Sequence, residues 1–133
     1  MIYFISGHRN LSYEDFCKYY KSKIDEVVQR DEHAEFVVGD CEGVDKFAMD
    51  YIYKNCFAPL VVYHMFDTPR NVPEGVNFYG DSSVEGVYFN GGYESDIERD
   101  TAMTKASDFD IAFIKDNRWR SGTAQNILRR HGI

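Results

Sequence analysis

The stretch Phe36-Val37-Val38-Gly39-Asp40-Cys41-Glu42-Gly43-Val44-Asp45-Lys46-Phe47-Ala48 decides the fold. An apolar run without polar alternation passes through a glycine-bounded turn into a stripe of Val44, Phe47, Ala48, Tyr51 and Ile52 at helical spacing. Unbroken apolar runs of this length mark strands covered on both faces. Three more lie at Ile2 to Ile5, Leu60 to Tyr63 and Ile111 to Ile114.

Helical patterns fill the gaps. Ser12 with Asp15 forms a cap, followed by Phe16, Tyr20, Ile24 and Val27 at helical spacing up to about Arg30. Ser95 with Glu98 is a second capping box, opening a helix that turns Ala102, Met103 and Ala106 inward. The last helix starts near Ser121-Gly122-Thr123 and buries Ala124, Ile127 and Leu128. Strands alternating with helices imply βαβ crossovers. The expectation is therefore an α/β chain, a Rossmann-like three-layer α/β/α domain over 1–133 with a mostly parallel sheet of four or five strands.

Residues 66–93 break the alternation. They hold two of the three prolines and half of the ten glycines. Val76-Asn77-Phe78-Tyr79 and Val87-Tyr88-Phe89 flank Gly80-Asp81-Ser82-Ser83, which predicts an inserted hairpin or flap. Such a segment serves as a lid over the site or as an oligomer contact. Exposed Phe78, Tyr79, Tyr88 and Phe89 would favour a homodimer or larger homo-oligomer.

Composition narrows the function. A chain of 133 residues, 44% of them hydrophobic, builds one core and not two. The net charge of -7 argues against a nucleic-acid partner, because a phosphate backbone needs several neutralising Lys or Arg. One phosphate on a small ligand needs only two or three local donors. Cys17, Cys41 and Cys56 form neither a disulfide framework nor a metal-ligand pattern, so reduced thiols, no metal and no cofactor are expected. Met1 to Ile5 meets Gly7-His8-Arg9 too soon for a signal peptide, and no run approaches the ~18 apolar residues of a membrane span. The expected setting is the cytoplasm, without a membrane partner.

In an open parallel sheet, ligands bind beyond the carboxyl ends of the strands, where the winding reverses. The segments to weigh are Ser6 to Arg9, Gly39 to Asp45 and Lys115 to Thr123. Each joins small residues to a helix start, whose free N–H groups and positive dipole end suit an anion. Gly7, Gly39, Gly43 and Gly122 give the backbone close approach or simply form tight turns. Arg9 and Arg99 are the charges placed on the ligand, with a surface salt bridge as the alternative for Arg9 and an intrahelical ion pair for Arg99. Arg118 and Arg120 default to solvent beside Trp119. Asp40 is a further ligand candidate, and Asp45 meets either a ligand hydroxyl or only the helix dipole. His8 is read as a structural or ligand-binding histidine rather than an acid or base. Ser121 and Thr123 complete the cradle.

Taken in order, Gly7-His8-Arg9, Gly39-Asp40-Cys41-Glu42-Gly43-Val44-Asp45-Lys46-Phe47-Ala48, Glu98-Arg99-Asp100-Thr101-Ala102-Met103 and Ser121-Gly122-Thr123 resemble the SLOG superfamily. That group includes the LOG-type phosphoribohydrolases, the DprA Rossmann domain and small YspA-like proteins, and this chain looks most like the last. The resemblance covers nearly all of the chain outside 66–93. It implies a nucleotide or nucleotide-derived phosphorylated ligand, bound for sensing, sequestration or presentation, and self-association.

The LOG-type pattern also implies N-glycosidic cleavage through an Arg-Lys-x-x-Met segment and a Pro-Gly-Gly-x-Gly-Thr-x-x-Glu segment. Arg99 and Met103 match the first, with Asp100 in place of Lys; Gly122 and Thr123 match the second. The glutamate falls on Asn126, and the Pro-Gly-Gly is absent. An amide neither stabilises a cationic sugar nor activates water, so binding is better supported than this reaction. Glu94, Glu98 or Asp100, with Arg99, are the catalytic candidates that could substitute. An interaction protein that has lost its ligand is the third reading.

Overall fold

The computed structural model describes residues 1–81 and 83–132. Strand β1 (Ile2–Ser6) pairs in parallel with β2 (Glu35–Val38) on one side and with the edge strand β6 (Phe109–Ala112) on the other. Strand β3 (Leu60–Met65) lies beyond β2, followed by β5 (Val87–Tyr93) and the short β4 (Ser83–Val84). The order β4-β5-β3-β2-β1-β6 contains one antiparallel pair, β4 with β5. Winding runs outward from β1 through β2, β3 and β5, then returns to β6 on the other side of β1. The reversal falls between the carboxyl ends of β1 and β6.

Alternate strand residues face opposite layers, and each layer finds a helical cover. Tyr3, Ile5, Phe36, Val38, Leu60 and Val62 share a core with Phe16, Tyr20, Ile24, Ala48, Met49 and Ile52. Those helical residues come from α1 (Tyr13–Phe16), a π-helical stretch at Cys17–Lys21, α2 (Ser22–Arg30) and α3 (Val44–Asn55). Phe4, Val37 and Tyr63 face the other way and pack on Met103 of α4 (Asp96–Ala106). The last helix, α5 (Gly122–Arg130), lies beside α4 and β6. Ser12 and Ser95 cap as their spacing predicts, accepting from the N–H groups of Asp15 and Glu98, and Ser121 caps the last helix in the same way, accepting from Ala124 N–H. The α/β/α layering expected from the sequence is present.

The inserted segment takes a different form from the one expected. Residues 76–79 are not a strand, and Ser82 of the expected turn lies outside the described residues. The hairpin turns instead at Glu85 (φ 52°) and Gly86 (φ 84°), two left-handed residues that match the twist of paired strands. Its second arm, β5, enters the sheet parallel to β3, which raises the strand count to six. Phe89 is therefore buried, and Phe78 packs edge-on against it at 5.1 Å, leaving Tyr79 and Tyr88 as the exposed aromatics of the four. The loop is tied down by the buried His64, whose Nε2 lies 2.7 Å from Asp81 Oδ1, while Asp81 Oδ2 accepts from Gly91 N–H. Among the described residues, no helix is long and apolar enough to cross a membrane.

Candidate functional site

A cleft of about 460 Å³ opens at the winding reversal. Ser6 to Asn10 form the wall after β1, and Gly39, Cys41 and Asp45 the floor after β2. Asp96, Arg99, Asp100 and Met103 of α4, Arg118 and Ser121 of the β6–α5 connection and Gly122, Thr123 and Asn126 of α5 close the opposite side. Tyr20 pins the ends of β1 and β6 where they part, donating to Ser6 O at 2.8 Å and accepting from Phe113 N–H at 2.9 Å.

The chain reaches α5 through Asp116 (φ 54°) and Asn117 (φ 55°), left-handed residues that turn it back toward β1. At the helix start, Ser121 Oγ takes the Ala124 N–H and Ser121 O takes the Gln125 N–H. The N–H groups of Gly122 and Thr123 have no acceptor among the described residues. A Cβ on Gly122 would meet nothing within 4 Å, so the space beside this glycine is open. Ser6 lines the same cleft with its Oγ buried and without a partner.

Arg9 and Arg118 stand at the rim, both partly exposed. One Arg9 nitrogen, Nη2, reaches Asp96 Oδ2 at 3.0 Å, and Arg118 Nη1 reaches Asn10 Oδ1 at 2.9 Å; each guanidinium keeps donors to spare. His8 is buried with Nε2 accepting the Lys115 N–H at 3.0 Å. Burial first, and then the Arg118 charge, lower its pKa, so the ring is held neutral with its proton on Nδ1.

Arg99 serves the scaffold more than the opening. Its Nη1 bonds Asp40 Oδ1 at 2.7 Å, and Nε and Nη2 fork onto Asp100 Oδ1 at 3.1 and 2.9 Å. Asp40 is fully buried and does not line the cleft; the backbone N–H and guanidinium of Arg70 hold its outer side at 2.7 and 2.8 Å. Burial alone would raise the Asp40 carboxyl, but the Arg70 hydrogen bonds and the Arg70 and Arg99 charges prevail and hold it below the usual carboxylate range. Arg70 Nη2 also bonds Asp96 Oδ1 at 2.8 Å. The insertion thus braces the cleft from behind; none of its described residues lines it.

The sequence candidates divide cleanly. Gly7, His8, Arg9, Gly39, Asp45, Arg99, Asp100, Met103, Ser121, Gly122 and Thr123 meet in this one cleft. Asp40, Gly43, Glu94 and Glu98 do not: both glutamates are exposed, and Glu98 Oε2 turns back to the Glu94 N–H. Three glycines serve packing. A Cβ on Gly7 would meet Val44 Cγ2 at 2.4 Å, one on Gly39 would meet Asp45 Oδ2 at 2.7 Å, and Gly43, at φ 76°, abuts the Arg9 carbonyl. Asn126 is buried with both ends engaged, its Nδ2 donating to Asp100 Oδ2 and its Oδ1 accepting from Arg129.

Sequence reasoning assigned no ligand role to Ser6 and left Arg118 in solvent, yet both line the cleft. Ser6 is the last residue of the strand at the reversal, a signal that was open to reading; Arg118 depends on a turn made by two non-glycine left-handed residues, which no motif announces. Comparison of the chain with protein-family models, curated proteins and solved structures returns no match.

Proposed function

We propose that this cleft binds a phosphorylated small molecule derived from a nucleotide, with the phosphate seated on the first turn of α5. The unpaired Gly122 and Thr123 amides carry this reading. Orphan N–H groups at a helix start combine with the dipole to favour an anion. Ser6 Oγ supplies a further contact from the facing wall, and Arg9 and Arg118 supply charge. The resemblance to the SLOG superfamily supports a nucleotide-derived ligand over a bare anion. A thermal-shift panel of nucleoside 5′-monophosphates against their parent nucleosides tests it. Stabilisation by at least one phosphorylated form and not by its nucleoside is expected; equal effects, or none throughout, would refute it.

A second reading, hydrolysis of the N-glycosidic bond of such a ligand, is favoured by one observation. Asp45 lies in the cleft with its carboxyl pushed up to about 7 by burial, near the value that suits proton transfer at neutral pH. Asp100 also lines the cleft but is committed to Arg99 and Asn126. Chromatography of each bound nucleotide after incubation separates the readings: release of free base establishes hydrolysis, and intact ligand leaves binding alone.

A further inference from the structure

Asp45 opens the first turn of α3 at the floor of the cleft, and its residue is 6% exposed. Its Oδ2 accepts the Cys41 N–H at 3.1 Å. The other oxygen, Oδ1, has no hydrogen-bond partner among the described residues, and no cation lies within 4 Å of the carboxylate. Arg99 packs over the same glycine, with Cζ and Nη2 at 2.9 and 3.0 Å from a Cβ position on Gly39 that Asp45 Oδ2 approaches to 2.7 Å. The donors of Arg99 nevertheless go to Asp40, Cys41 and Asp100. Arg99 acts on Asp45 only through its charge, and a buried carboxyl with no cation in direct contact is costly in a fold that pairs its other buried charges. The cost falls when a ligand brings a hydrogen-bond donor to Oδ1.

We infer that Asp45 is a specificity-determining residue that accepts a hydrogen bond from a hydroxyl of the ligand, selecting hydroxylated phosphate esters over bare phosphate. This rests on the phosphate site proposed at α5. The cleft lining then offers a ligand two kinds of group: donors, from the Gly122 and Thr123 amides, Arg9 and Arg118, and an acceptor, Asp45 Oδ1; the carboxylates of Asp96 and Asp100, also in the lining, are already paired with arginines. A sugar phosphate matches both, and inorganic phosphate only the first. Above the raised pKa of Asp45 the carboxylate is ionised and purely an acceptor, so the selection is expected at mildly alkaline pH.

Calorimetric titration of ribose 5-phosphate and of inorganic phosphate at about pH 8, where both are largely dianionic, tests the inference on wild type, Asp45→Leu and Arg9→Ala. Wild type should bind ribose 5-phosphate about tenfold or more tightly than inorganic phosphate, the range of one hydrogen bond to a charged group. Asp45→Leu should collapse that ratio toward one, whereas Arg9→Ala should lower both affinities and keep it. If Asp45→Leu does not fold, Asp45→Ala provides the same comparison. A preference that survives loss of the carboxyl overturns the role of Asp45 and leaves the phosphate site standing. Wild type that binds neither compound overturns both.

Discussion

Arg99 Nη1 lies 2.7 Å from Asp40 Oδ1, with the arginine 4% exposed and the aspartate fully enclosed. The pair joins α4 to the end of β2, and Arg70 extends it into the inserted segment. It thereby fixes the floor of the cleft and the position of Asp100 beside it. Asp40→Asn would leave two guanidinium groups facing an amide. Loss of one partner of a buried ion pair costs about 3–5 kcal/mol, and urea denaturation should show a loss in that range.

The same carboxylate sets an acid limit. Because the Asp40 pKa is lowered from 3.8 in the folded protein, its contribution is complete above the unfolded value. It disappears as pH falls through the lower, folded value. Acid titration of stability should therefore be shallower in Asp40→Asn than in wild type.

Asp45 acts with the opposite sign. Its folded pKa of about 7 exceeds the ordinary 3.8, so the stabilisation is fully present below about pH 4 and is lost as pH rises toward 7. A shift of this size corresponds to a few kcal/mol, on the order of 4. Asp45→Asn, which has no proton to lose, should remove that dependence, so the stability difference between variant and wild type should change across this window and level off above it.

Gly7 and Gly122 should respond oppositely to added side chains. Gly7→Ala forces a Cβ into Val44 and the Tyr20 hydroxyl, so thermal stability should fall, by about 1–3 kcal/mol as for other overpacked sites. Gly122→Val meets open space and should leave the fold near wild type while obstructing approach to the α5 amides. Paired melting curves and nucleotide titrations distinguish the two.

The parallel core was legible because its signals are local. Apolar runs gave β1, β2 and β3 to within two residues at either end, and the capping serines gave the starts of α1, α4 and α5. Strand β5 was not legible as a sheet member. Its Asn90-Gly91-Gly92 run lacks the expected apolar character, and Gly91 is small because the ring of His64 occupies the space of a Cβ. A crossover with no helix between β3 and β5 also removes the usual cue for parallel pairing.

The site was legible as a set of strand-end segments and less so in its roles. Arg9 at the rim and Gly122-Thr123 at the helix start line one cleft, as the placement of the strand-end segments implies. Arg99 and Asp40 were read as ligand contacts because their partners, 59 residues apart in sequence, meet only in the folded chain. Glu94, just before the Ser95 cap, and Glu98, in the first turn of α4, fell out for the complementary reason: both are exposed and meet each other, Glu98 Oε2 accepting the Glu94 N–H.

Among the described residues the Arg9 side chain makes one ion pair, the partly exposed contact to Asp96, so Arg9→Ala should change stability by less than about 1 kcal/mol. Its effect on a phosphorylated ligand should be larger, about 1.5–3 kcal/mol for one charge-assisted contact. Calorimetry on the folded variant measures both sides of that contrast, and an unchanged affinity would remove Arg9 from the site.

The first turn of α5 is the proposed seat of the ligand phosphate, and backbone amide NMR addresses it atom by atom. On titration with nucleoside 5′-monophosphates or ribose 5-phosphate, the Gly122 and Thr123 amide resonances should shift saturably, and the parent nucleosides should leave them in place. If those two amides stay still while a phosphorylated ligand moves others, or if no member of the panel moves any amide of the cleft, the account is contradicted.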